Sequence, residues 1–167
     1  THLVESGRLN PDTTYYFEIY SGDTLYDNGG EKYSIRTLST LSSPPPFETK
    51  TGSVINSTDP SDLVLVFKIV DTDESDTLGS SGYMSVLPDD TGDWVVTTGD
   101  ARSEDGSSYY SYSTADILQA YFLGAKNSKF DFRMSEETMQ LDFSEVSSGS
   151  TSGGVQLLTD YGIIIFE

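Results

Sequence analysis

Cysteine is absent from all 167 residues, so no disulfide staples the fold and no thiolate is available for catalysis or metal binding. Histidine occurs once, as His2. A Ser-His-Asp triad or a histidine-ligated metal would have to be built around that single ring, which sets both chemistries aside. Basic residues are scarce, with 9 Lys and Arg against 27 Asp and Glu and a net charge of −18. Such a charge repels a phosphate backbone and an anionic membrane surface alike, so nucleic acid is not expected as a partner. No apolar run approaches the roughly 20 residues that a membrane-spanning helix needs, and membrane insertion is not expected either. Thr1 is not an initiator Met, and the chain reads as a mature or excised product.

What is present is tyrosine, phenylalanine, glycine and small polar residues: 11 Tyr, 8 Phe and 15 Gly. A composition rich in Ser, Thr, Gly, Asp and Tyr matches exposed prokaryotic surface β-proteins and sets the expectation of an extracellular, cell-surface location. β-branched and aromatic residues alternate with polar ones, and turn clusters recur at short intervals, which predicts an all-β protein. Tyr15, Phe17 and Ile19 share one strand face, and "DNGG" (residues 27–30) supplies the positive-φ turn before "KYSIRT". Pro44, Pro45 and Pro46 remove three successive backbone donors and mark a semi-rigid linker. Beyond it "TGSVIN", "LVLVFKIV", "GYMSVL", "DWVVTT" and "TMQLDFSEV" read as strands. The nearly continuous run over residues 63–70 suits a strand buried on both faces. In "STADILQAYFLGAKN" the apolar residues fit either a helix capped by Thr114 or a strand. "SSGSTSGG" (residues 147–154) is a flexible tether, and residues 155–167 form a terminal strand. The division is thus residues 1–43, a linker at 44–46, a second domain at 47–146, the tether, and the terminal strand.

Leu9, Pro11, Thr13, Tyr15 and Phe17 form an L-x-P-x-T-x-Y-x-F pattern that resembles the tyrosine corner of fibronectin type III domains. The resemblance implies that Tyr15 bonds back across the corner and that residues 1–43 supply only the latter part of such a sandwich, which takes about 100 residues when complete. An apolar face and an unpaired edge would then need cover, from the second domain or from strands of a neighbour. Residues 47–146 resemble carboxypeptidase-regulatory-like modules, the transthyretin-like or Cna-B-like β-sandwiches of surface proteins. "GSV" (residues 52–54), the strand at 63–70 and "DDTGDW" (residues 89–94) carry that likeness, which implies that Trp94 enters the core. It also favours a strand over residues 115–124. Two β-sandwich-type domains with a C-terminal extension strand are the fold expected.

Candidate chemistry is sparse. "DTDESDTLG" (residues 71–79) sets Asp71, Asp73 and Ser75 at the alternating offsets of a Ca²⁺ loop but lacks the glycine and late glutamate of an EF-hand. Asp89 and Asp90 are the next cation candidates. Tyr110 and Tyr112, near Trp94, offer ring faces to a glycan. Lys68 inside an apolar strand reads as a snorkelling side chain, or as a crosslinking lysine of the kind some Cna-B-like modules carry. Asn56 begins one N-glycosylation sequon. No pair of carboxylates is singled out for glycoside hydrolysis.

These features lead to the expectation of a non-enzymatic structural protein whose partners are other copies of itself. In that reading the terminal strand, with Val155, Leu157, Ile163, Ile164, Ile165 and Phe166 as anchors, pairs with the edge of a neighbour and builds a filament. The competing expectation is a carbohydrate-binding or spacer module of a larger surface protein.

Overall fold

The structure, a computed structural model, describes residues 9–26, 28–42, 47–123 and 129–145, and the backbone of 155–158 and 163–166. The strands are β1 (Thr14–Phe17), β2 (Ile19–Ser21), β3 (Thr24–Tyr26), β4 (Tyr33–Arg36), β5 (Lys50–Ile55), β6 (Leu65–Val70), β7 (Met84–Val86), β8 (Asp93–Val96), β9 (Ile117–Phe122), β10 (Lys129–Arg133), β11 (Met139–Asp142), β12 (Val155–Leu158) and β13 (Ile163–Phe166). The described chain is all-β apart from short 3-10 turns, as its alternating pattern predicts.

Seven of these strands form a sandwich. One sheet has the order β10-β9-β6-β7, the other β11-β5-β8. β6 lies inside its sheet between β9 and β7, and Leu65, Val66, Phe67 and Ile69 are buried, which is why its sequence is nearly unbroken in apolar residues. β9 alternates Leu118, Ala120 and Phe122 inward. Strand geometry therefore wins over helix spacing there, because β9 has a partner on each side. From the second sheet Val54, Trp94, Val96, Met139 and Leu141 close the core.

Phe67 and Trp94 meet across the two sheets, ring centroids 4.8 Å apart. Trp94 has room because position 52 is glycine: a Cβ there would collide with the Met139 carbonyl oxygen and with the indole ring. Asp89, Asp90, Thr91 and Gly92 turn the chain into β8. The Asp89 carboxylate accepts from the Thr91 amide (2.9 Å), the Thr91 hydroxyl (2.7 Å) and the Asp93 amide (3.0 Å). Gly92, at φ +90°, brings its carbonyl to the Val54 amide at 2.8 Å, and a Cβ on it would sit 2.5 Å from the Val54 carbonyl oxygen.

Outside the sandwich, β1 and β4 pair as a separate two-stranded sheet, Tyr15 opposite Ile35 and Phe17 opposite Tyr33. Phe17 and Tyr33 stack at 5.5 Å. Where one hairpin is expected, a second, β2–β3, is inserted by a turn at Gly22 (φ +58°), and the "DNGG" turn follows it with Gly29 and Gly30 both at positive φ. The terminal segment differs from the single strand its sequence suggests, for β12 and β13 pair antiparallel with each other, Val155 opposite Phe166. Pro44, Pro45, Pro46 and the tether lie outside the described residues.

Replacement of Gly52 by Ala is expected to destabilise the fold by about 1–3 kcal/mol through overpacking, and Phe67→Ala by about 3–5 kcal/mol through loss of its core contacts. Denaturant unfolding followed by Trp94 fluorescence measures both. A Gly52→Ala variant as stable as the parent would contradict the packing described.

Candidate functional site

The most concentrated group of chemically competent side chains is acidic. β6 ends at Val70, and the following loop carries Asp71 and Asp73; the turn before β9 carries Asp116. One carboxylate oxygen from each of the three lies within 4.8 Å of the others. Asp116 is 1% exposed, Asp71 half-buried and Asp73 exposed. Local hydrogen bonds make such an approach of like charges tolerable. Asp116 accepts from the Thr72 amide (3.0 Å) and the Ser113 amide (2.8 Å). Asp71 accepts from the amides of Asp73 (3.1 Å) and Glu74 (2.9 Å). Asp73 accepts from the Ser75 amide (2.9 Å), the Ser75 hydroxyl (2.5 Å) and the Ser113 hydroxyl (2.8 Å). The Ser75 hydroxyl, then that of Ser113, holds the Asp73 carboxyl below its ordinary range.

An all-oxygen set of this kind suits a hard cation such as Ca²⁺. It is also a complete staple for the loop, since the carboxylates satisfy five backbone amides between them. Sequence spacing finds Asp71, Asp73 and Ser75 in this group but misses Asp116, which arrives from a distant segment and is the buried member. Asp89 and Asp90 do not join it: Asp89 organises the turn into β8, where the Thr91 hydroxyl and then the Asp93 amide hold its carboxyl low, and Asp90 is exposed on that turn.

The tyrosines proposed for glycan stacking are placed otherwise. Alternation does put Tyr110 and Tyr112 on one face, but that face is the inner one. Tyr110 is 4% exposed and belongs to the core, and its hydroxyl donates to the Gly79 carbonyl at 3.1 Å. Tyr112 is half-buried, and its hydroxyl bonds to the Glu48 carboxylate and to Thr98. Burial first, and then nearby carboxylates, push both phenols up to about 12. Tyr110 is therefore packed in the core and not presented to a sugar.

At the corner, the Asn10 amide donates to the Tyr15 hydroxyl oxygen at 2.7 Å. The Thr13 hydroxyl donates to the Pro11 carbonyl at 2.9 Å, and Leu9 is 41% exposed. Arg36 grips Asp12 at 2.7 Å, and Thr37 and Thr13 exchange backbone and hydroxyl bonds. This corner abuts the sandwich. Leu38 packs on Gly106, where a Cβ would fall 2.5 Å from a Leu38 methyl. Arg102 donates to the Ser39 carbonyl at 2.7 Å. A cleft of about 420 Å³ lies along that joint between Arg36 and Asp105. Its acids are already satisfied: the Ser103 hydroxyl, followed by the Ser107 amide and hydroxyl, holds Asp105 down at about 2. Lys68 lies over the Tyr83 ring at 5.1 Å and 3.7 Å from Glu104, the posture of a snorkelling lysine. Asn56 (φ +61°) is exposed and donates to Asp142 at 2.9 Å. His2 lies outside the described residues.

Two outcomes follow. Asp116→Asn turns a donor toward the Ser113 amide and should cost about 1–3 kcal/mol with or without Ca²⁺; thermal unfolding with Ca²⁺ and with chelator checks this, and a loss confined to the Ca²⁺ condition would make the cluster a cation site instead. For pH, Asp73, Asp89, Asp105 and Asp142 all have folded values depressed below 3.8. Their contribution is therefore complete above about pH 4 and is lost as the pH falls toward 2. Unfolding midpoints measured from pH 7 to pH 2 should fall steeply only in that last interval. No protein-family model, curated protein or solved structure matches this chain.

Proposed function

We propose that the chain is a non-enzymatic structural protein of a cell surface, a subunit of a filament or stalk whose copies are joined by β-strand donation. One observation carries this reading. The β1–β4 sheet has only two strands among the described residues, yet its inner face bears Tyr15, Phe17 and Ile35, all half-buried, around a buried Tyr33. A two-stranded hairpin is marginal by itself in water, and open strand edges recruit further strands. That need for cover is what the fibronectin type III-like reading of the corner implies, and the Asn10–Tyr15 bond agrees with it.

The donor in this reading is the segment beyond the Gly/Ser-rich tether. Since β12 and β13 pair with each other, the unit offered is a hairpin with two outer edges. Residues 163–166 read Ile-Ile-Ile-Phe. Burying four such side chains is worth roughly 6–12 kcal/mol before ordering costs, enough to hold a neighbour. The contact is head-to-tail and does not close on itself, so repetition gives an open filament.

The joint favours a second reading. Leu38 seated on Gly106 and Arg102 bonded to Ser39 would also fix the orientation of consecutive modules in a rigid spacer of a longer surface protein.

Negative-stain microscopy and light scattering of the full chain and of a chain truncated after Gly154 decide between them. Fibres from the full chain that vanish on truncation are the expected result. Monomers in both samples would overturn strand donation and leave the spacer.

A further inference from the structure

We propose that the solvent face of the β1–β2–β4 region binds an uncharged polysaccharide by stacking its sugar rings on Tyr16 and Tyr20. Exposure alternates without interruption from Thr13 to Tyr20, so Tyr16, Glu18 and Tyr20 stand on one side, opposite to the face that carries Tyr15 and Phe17. Tyr16 is 70% exposed and Tyr20 65%. Four residues of extended chain set them about 13 Å apart, a span of several sugar rings. Ser34 stands opposite Tyr16 and Leu25 opposite Tyr20.

The surroundings of the two rings select the ligand class. A pyranose presents C–H groups on its flat faces, which suit the negative face of an aromatic ring, and hydroxyls around its rim, which need hydrogen-bonding neighbours. Glu18, Lys32, Ser34 and Arg36 supply such neighbours at exposed positions. Charge narrows the choice. The chain as a whole carries −18 and repels polyanions, but on this face Glu18 is offset by Lys32 at 3.9 Å and Asp12 by Arg36 at 2.7 Å. Asp23 and Glu31 are exposed beside these pairs, so the face has no excess of positive charge, and it complements a neutral polymer better than uronic acids or nucleic acid. A protein partner fits less well, because Leu25 is the one aliphatic side chain opposite these rings, and a stable protein interface needs a wide apolar centre.

The proposal is independent of strand donation, which uses the opposite face and the strand edges. It is tested on the full chain by retention on crystalline cellulose, chitin and amylose, with polygalacturonate as the anionic control. Retention on at least one neutral polymer is expected. The Tyr16→Ala/Tyr20→Ala pair should weaken it about tenfold or more, while the Tyr16→Phe/Tyr20→Phe pair, which keeps both ring faces, should stay within about threefold. Tyrosine ring signals of the unmodified chain, followed by NMR during titration with the soluble oligosaccharide of the retained polymer, should shift for Tyr16 and Tyr20 without need of any variant. No retention on the three neutral polymers, equal retention by the alanine pair, losses as large in the phenylalanine pair, or preference for polygalacturonate would each overturn it.

Discussion

The contact of Phe67 with Trp94 is the constraint around which the sandwich is arranged. Phe67 belongs to β6, in the middle of one sheet, and Trp94 to β8, at the edge of the other. Their meeting therefore fixes the spacing and angle of both layers. It also imposes demands on the sequence elsewhere. Position 52 must lack a Cβ so that β5 can run beneath the indole and still pair with β11. The turn of Asp89 to Gly92 must deliver Trp94 inward at the right register, which explains its dense bonding to the Asp89 carboxylate. The one buried side-chain polar atom without a partner among the described residues is the Trp94 Nε1. An orphaned indole N–H in the core is costly, and its persistence indicates that the packing of this ring outweighs that loss.

The β1–β4 sheet follows a different logic. It has its own stacked pair, Phe17 with Tyr33, and its own corner, but no opposing sheet among the described residues. Its connection to the sandwich includes Leu38 seated on Gly106 and the hydrogen bond from Arg102 to Ser39. Among the described residues, the molecule thus sets a seven-stranded sandwich with its own core beside a two-stranded sheet; that this sheet takes its remaining cover from a neighbour is the proposal made above. The charge distribution reinforces this division. Most of the acidic excess lies between Pro44 and Val146, where carboxylates close the loops at the ends of the sandwich, whereas Glu18 and Asp12 beside β1 are met by Lys32 and Arg36.

Much of this organisation was legible before any coordinates. The run through β6 suits a strand buried on both faces, and the likeness carried by "DDTGDW" implies the turn and the inward tryptophan, which the structure shows. Less was legible where the decisive partner is distant. The apolar residues of β9 satisfy both periods, and only pairing with β6 and β10 on either side resolves them. β10 alternates Phe130 and Phe132 with Lys129, Asp131 and Arg133; its charged outer face, suited to a sheet edge, makes the strand pattern hard to see in the sequence. Asp116 joins Asp71 and Asp73 only through the fold, so no local motif contains it. Tyr110 and Tyr112 share one side of their segment as alternation suggests, yet Tyr110 is buried and Tyr112 half-buried, because alternation tells which residues share a face but not which face meets water.

The central proposal is that the sandwich core stands by itself whereas the β1–β4 sheet takes cover from a neighbour. Native-state hydrogen exchange on the dilute monomer tests it most directly, since it reads local opening strand by strand. Amides of β5, β6 and β9 should exchange only through global unfolding, and those of β1 and β4 through a much smaller opening free energy. Equal protection of β1, β4 and the sandwich strands in the dilute monomer would contradict the account, for the sheet would then already be as complete as the core beside it.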